Sequence, residues 1–135
     1  MASAPSTSTA SSTMWTYIFQ RLTANAYLPT RQSRAAGFDL RSAYTVQIEP
    51  GYGAYILTDL RVELATGYIG LISPCSDWMT HSHFDVTTYV LDPTTTSNLS
   101  IPVRNRGTRP ITIQNGDRIA QIVFVKVLQC INEYL

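Results

Sequence analysis

Apolar and polar residues along this chain repeat with a period of two far more often than with the period of a helix. Leu60, Val62 and Leu64 enclose Arg61 and Glu63 and form the clearest half-buried strand. In the stretch 35–43, AAGFDLRSA, Phe38 and Leu40 fall on one face of a strand and Asp39 on the other. Further β-prone runs cover 15–22, 45–48, 55–57, 69–73, 84–91, 99–103 and Ile111–Ile113. The most apolar run, IAQIVFVKVL at 119–128, is rich in β-branched residues. Turn residues punctuate these runs: Pro50, Gly51 and Gly53, then Gly67 and Gly70, then Pro93, then the cluster at 105–110. One short helical turn is expected near 77–79. Strands recurring about every 8–12 residues, without helical crossovers, predict an all-β antiparallel sandwich or barrel.

Composition narrows the picture. With 135 residues the chain has room for one sizeable core, expected over 14–135. Residues 1–13 are small and polar, as in ASAPSTSTASST, and read as a disordered tail, with Met14 a second potential start beside Met1. Only 14% of residues are charged against 44% hydrophobic, so part of the surface is expected to be covered by other subunits. The net charge is +1 with no long basic run, which argues against a nucleic-acid partner. No apolar stretch approaches the roughly 18 residues of a membrane span. No apolar segment follows a basic N-terminus, and Cys75 and Cys130 are too few for a disulfide framework. Those features lead us to expect an intracellular protein, cytoplasmic or nuclear, without a membrane partner.

Candidate chemistry is sparse. Asp39, on a strand beside Gly37, suits a hydrated divalent cation or a polar pocket wall, and equally a local hydrogen-bond cap. His81 and His83, two apart, lack a third ligand in view and read as ordinary surface residues. Cys75 has no cationic or imidazole neighbour in sequence and reads as a small apolar filler.

Four segments in order, AAGFDLRSA at 35–43, SPCSD at 73–77, YVLD at 89–92 and GDRIAQI at 116–122, preceded by LTANAYLPTRQSR, resemble the trimeric dUTP pyrophosphatase (dUTPase) family over residues 22–127. The resemblance implies a jelly-roll-like β-sandwich or distorted barrel. It also implies a homotrimer with shared sites, and magnesium-dependent conversion of dUTP to dUMP and pyrophosphate. By position, Asp39 corresponds to the residue that holds hydrated magnesium, Ser76 and Gln121 to groups that bind the phosphates, and Asp92 to the general base. A carboxylate within hydrogen-bond reach of a water accepts its proton as it attacks phosphorus; Asp92-Pro93 also reads as a plain turn opener. Asp117 and Arg118 read as architectural.

The departures from the family pattern bear on the same ligand. Cys75 stands where an arginine would clamp phosphate, and Asp77 where a glycine would lie. Tyr89 replaces a glycine of the hairpin that hydrogen-bonds uracil, so a phenol ring is expected in the base pocket. Thr95 replaces the tyrosine that packs under deoxyribose. The sequence reaches Leu135 without a counterpart of the glycine-rich arm of the fifth motif. The pattern is similar to that of degenerate dUTPase-like early proteins of adenoviruses and other viruses. Those carry short C-terminal ligands for PDZ domains, a role that Glu133, Tyr134 and Leu135 would fill here. Two functions follow as expectations: a dUTPase-fold protein with lost or reduced hydrolysis that acts through protein partners, and an active magnesium-dependent enzyme with a rearranged site. A third possibility, a regulator that binds nucleotide without turnover, is disfavoured by Tyr89.

Overall fold

A computed structural model of the chain describes residues 15–75, 83–93 and 97–128. The expected helical turn at 77–79 lies outside them, as do Met14, Ser76, Asp77, His81, Thr95, Cys130, Glu133, Tyr134 and Leu135. Eleven strands occupy the described residues: β1 (Tyr17–Arg21), β2 (Phe38–Arg41), β3 (Val46–Ile48), β4 (Gly53–Leu57), β5 (Leu60–Leu64), β6 (Tyr68–Pro74), β7 (Phe84–Val86), β8 (Tyr89–Leu91), β9 (Ser100–Asn105), β10 (Ile111–Ile113) and β11 (Arg118–Lys126). No helix accompanies them among these residues. All ladders are antiparallel, as the spacing predicts.

The strands form a four-stranded sheet in the order β2-β11-β6-β8, a three-stranded sheet β4-β9-β7, and the pairs β1-β5 and β10-β3. Their inner faces enclose one core, in which Leu40, Ile56, Leu60, Ile72, Ile101, Ile113, Ile119 and Ile122 are fully buried. Alternation is kept where it was clearest: Leu60, Val62 and Leu64 of β5 are buried while Glu63 is exposed. A half-buried aromatic group extends the core, with the Tyr17 and Phe124 rings stacked at 4.2 Å and Phe19 and Phe38 packed against them.

The run expected as one strand over 84–91 is two. β7 pairs with β9 and β8 with β6, so the chain crosses from one sheet to the other at Thr87 and Thr88. The transfer leaves residues 89–91 and 97–100 as splayed arms of a hairpin rather than a closed ladder. Between them lies a groove of about 340 Å³, bordered by Tyr55, Tyr89, Val90 and Pro102.

Behind this groove sits a buried carboxylate. Asp59 is 2% exposed, with a left-handed backbone at φ 55°, a conformation that Asp tolerates better than most residues. It accepts hydrogen bonds from the Thr23 hydroxyl (2.6 Å), the Tyr44 phenol and the Asn98 amide (2.8 Å), while its own backbone N–H donates to Asn98. Burial alone pushes the Asp59 carboxyl up, but those three donors together outweigh it and hold the group below the ordinary carboxylate value.

Candidate functional site

The outer face of the four-stranded sheet carries the polar residues of the first and fourth motifs. Asp39 is the Cα partner of Gln121, and Gln121 is in turn the partner of Ser73, so three adjacent strands place them in one row. Gly37 makes the row possible. A Cβ there would lie 2.8 Å from Gln121 Oε1 and 3.1 Å from the Ile122 carbonyl, so the Gln121 amide would have to move and the β11 backbone give by a few tenths of an ångström. Gln121 Nε2 is 3.4 Å from the Pro74 carbonyl, a weak bond that points the amide along the sheet toward the second motif.

Asp39 does not stand alone as a cap. Its carboxylate faces Arg118 Nη1 at 3.5 Å, and its backbone N–H donates to the Thr30 carbonyl at 2.7 Å. Arg118 thus pairs within the chain, and Asp117 accepts from the Gln114 N–H at 2.8 Å; both contacts hold the fold together. Arg41 joins the same face. It is the Cα partner of Arg118, next to a β-bulge in β11, and donates from Nη1 to the Gly116 carbonyl at 2.8 Å. Cys75 is buried, with Sγ 3.6 Å from the Arg118 carbonyl, a packing position consistent with a filler.

A divalent cation needs several oxygen donors. This row offers one carboxylate, already engaged by a guanidinium and flanked by another. Among the described residues no group of three His, Cys, Asp or Glu side chains is placed to hold a metal. The donor set does not fit magnesium by itself. His83 is exposed and stands apart from the row.

Asp92 is elsewhere. It follows β8, exposed, at the far edge of the sheet. From the register, Asp92 and Asp39 are separated by three strand spacings and about four residues along the strands, roughly 20 Å. One copy of the chain cannot bring both to one phosphate. Between them the outer face is apolar: Val123, Leu71 and Val90 form one cross-strand row, Val125 and Ile69 the next, and Val90 is 50% exposed.

Tyr89 lies on the other face. Its phenol is half-buried and donates to the Ser100 carbonyl at 2.8 Å, bridging the two arms of the splayed hairpin. Burial pushes the phenol above its ordinary value, so it remains a donor. Sequence reasoning did not anticipate this bond, nor the Arg41–Arg118 pairing. For the second, alternation places Arg41 on the face of Asp39 but does not reveal Arg118 opposite it.

Comparison with known proteins follows the same lines. The dUTPase family model matches residues 24–134. The human mitochondrial deoxyuridine 5'-triphosphate nucleotidohydrolase is 36% identical over 110 residues, which cover 81% of this chain and 44% of that protein. The fowlpox virus deoxyuridine 5'-triphosphate nucleotidohydrolase is 37% identical over 108 residues, 79% of this chain and 74% of the viral one. The chain thus spans less than half of the human relative. Among solved structures, a dUTPase from Staphylococcus aureus phage phi11, described for its coordination of a structural Mg(II) ion, superposes with a TM-score of 0.83 at 26% identity, covering 89% of this chain and 96% of that one. The Staphylococcus phage 80alpha dUTPase bound to dUpNHpp gives 0.79 at 28% identity, covering 88% and 89%. That work describes phage dUTPases as controlling gene transfer by a G protein-like mechanism.

Proposed function

Since the chain belongs to the dUTPase family, we propose that it uses the family's β fold with dUTP hydrolysis lost or strongly reduced, and acts by binding other proteins. One observation carries this reading: the Tyr89 phenol donates to the Ser100 carbonyl across the hairpin arms at 2.8 Å. In the family this hairpin hydrogen-bonds uracil, and here a side chain of the protein satisfies the acceptor. The half-buried Tyr89 ring packs against the core, and a base entering here would have to displace it. Cys75 in place of a phosphate-clamping arginine supports the same reading.

Assembly belongs to the proposal. The apolar rows at Val90, Leu71, Val123, Ile69 and Val125 suit coverage by further copies in a homotrimer, which would also bring one copy's Asp92 toward another's Asp39 and Gln121. A role beyond hydrolysis has a parallel in the G protein-like mechanism described for the phage relatives.

The second reading, an active dUTP pyrophosphatase, is favoured by the retention of Asp39, Asp92 and Gln121. In it Asp92 takes the proton of the attacking water, Gln121 and Ser76 hold phosphate oxygens, and magnesium, gripped mainly by the phosphates, neutralises charge beside Asp39. Calorimetric titration with dUpNHpp and magnesium separates the two. The proposal expects no saturable uracil-dependent heat; tight binding of dUpNHpp but not of the adenosine analogue would overturn it.

A further inference from the structure

Of the five asparagines in the chain, only Asn115 precedes a glycine. A glycine nitrogen has no side chain beside it, so it is the least hindered nucleophile toward the side-chain carbonyl carbon of the residue before it. Attack by the Gly116 nitrogen on Asn115 Cγ closes a five-membered imide. The N–Cγ bond forms as a solvent base takes the Gly116 proton, the Cγ–Nδ2 bond breaks, and ammonia leaves with a proton drawn from water. A second water opens the ring at either carbonyl, giving aspartate or isoaspartate, and the latter lengthens the main chain by a methylene.

The fold engages every atom this reaction needs. Asn115 Nδ2 donates to the Ala43 carbonyl at 2.8 Å, an acceptor only, which fixes the orientation of the amide. Asn115 Oδ1 accepts from the Tyr27 phenol. The Asn115 backbone N–H donates to Thr45 Oγ1 at 3.0 Å, and that of Gly116, the nucleophile, donates to the Ser42 carbonyl at 2.8 Å. Gly116 is left-handed at φ 93°, and a Cβ there would meet Tyr27 Oη at 3.1 Å, so the phenol lies directly against it. Tyr27 is held in place by its neighbour Ala26, which is buried in the core.

We infer that Asn115-Gly116 is a site of spontaneous deamidation that the native fold holds closed, with Tyr27 as its guard, and that conversion frees the segment 23–30 from the turn at 114–117. Ring closure requires the Asn115 side chain to swing onto its own peptide, which breaks the Ala43 and Tyr27 bonds, and the Gly116 N–H to leave Ser42. In the product an oxygen replaces Nδ2 opposite the Ala43 carbonyl, so a donor and an acceptor become two acceptors. The isoaspartate methylene also moves the Tyr27 acceptor out of place.

The test incubates the full chain in mildly alkaline buffer, folded and in urea, and follows the mass gain at Asn115 by peptide mapping, with amide spectra checking the fold of each variant. Each of the three bonds that must open cuts the reactive population about fivefold, so the folded chain should deamidate about a hundredfold more slowly than the chain in urea. Tyr27→Phe should speed the folded chain about fivefold and leave the rate in urea unchanged. Thr45→Val, which frees the Asn115 N–H through a different atom, should speed it by a similar factor. In the deamidated fraction the amide signals of 23–30 and 42–45 should shift while those of β9 hold. Equal rates in the folded chain and in urea overturn the inference, as does a folded rate that Tyr27→Phe and Thr45→Val leave unchanged or slow. A deamidated chain whose 23–30 signals stay in place overturns it too.

Discussion

The two ends of the central sheet have fared differently. At the end formed by β2, β11 and the close of β6, Asp39, Gln121 and Ser73 stand in register in one row. At the β8 end, Tyr89 borders the groove between the hairpin arms, and its phenol donates to the Ser100 carbonyl. The difference tracks what each residue does for the fold. Asp39 balances Arg118 and docks its backbone on Thr30, and Gln121 fills the space that Gly37 leaves. Such residues have structural work with or without a ligand. Tyr89 has structural work of another kind, a hydrogen bond that bridges the two hairpin arms.

The contrast breaks most sharply at Asp59. Asp59→Ala strips Thr23, Tyr44 and Asn98 of their shared acceptor in the interior, and the loss in urea denaturation should be about 3 kcal/mol or more. Because Asn98 belongs to one hairpin arm, amide shifts should spread through 97–100 while the Asp39–Gln121 row stays in place. Gly37→Ala probes the other end. Its Cβ meets Gln121 and the β11 backbone, so a cost of about 1–3 kcal/mol is expected, with shifts along β2 and β11 and none at Tyr89. Tyr89→Phe keeps the ring and removes one hydrogen bond, for about 1 kcal/mol.

Acid and alkali act on the same contrast more gently. The Asp59 carboxyl is held below its ordinary value, so its contribution is complete above the ordinary value of 3.8 and is lost as pH falls through the lower folded value. The Tyr89 phenol is held above its ordinary value of 10.0, so its contribution is complete below that and is lost as pH rises through the higher folded value. Denaturation against pH should therefore lose part of its acid limb in Asp59→Asn and part of its alkaline limb in Tyr89→Phe. Limbs unchanged by either substitution would remove both groups from the account.

Much of the fold was legible because alternation at β5 and β2 and the turn residues between strands are local signals. The crossing at Thr87 and Thr88 was not, since a strand that changes partners midway keeps the same β-prone composition. The Asp59 cluster draws on positions 23, 44, 59 and 98, each an unremarkable polar residue in its own segment. Of the candidate row, the positions of Asp39 and Gln121 on strands were legible, since both lie in β-prone runs. The pairing of Arg41 with Arg118 depended on the register of strands 77 residues apart, shifted by a bulge, which no single-sequence pattern specifies.

Release of pyrophosphate from dUTP with magnesium, measured on the full chain beside Asp92→Ala, bears most directly on the claim that the fold is kept and the base pocket filled. The account predicts no turnover above the Asp92→Ala background. Turnover in the parent chain that disappears in Asp92→Ala would contradict it, and would show that Tyr89 yields its place to uracil.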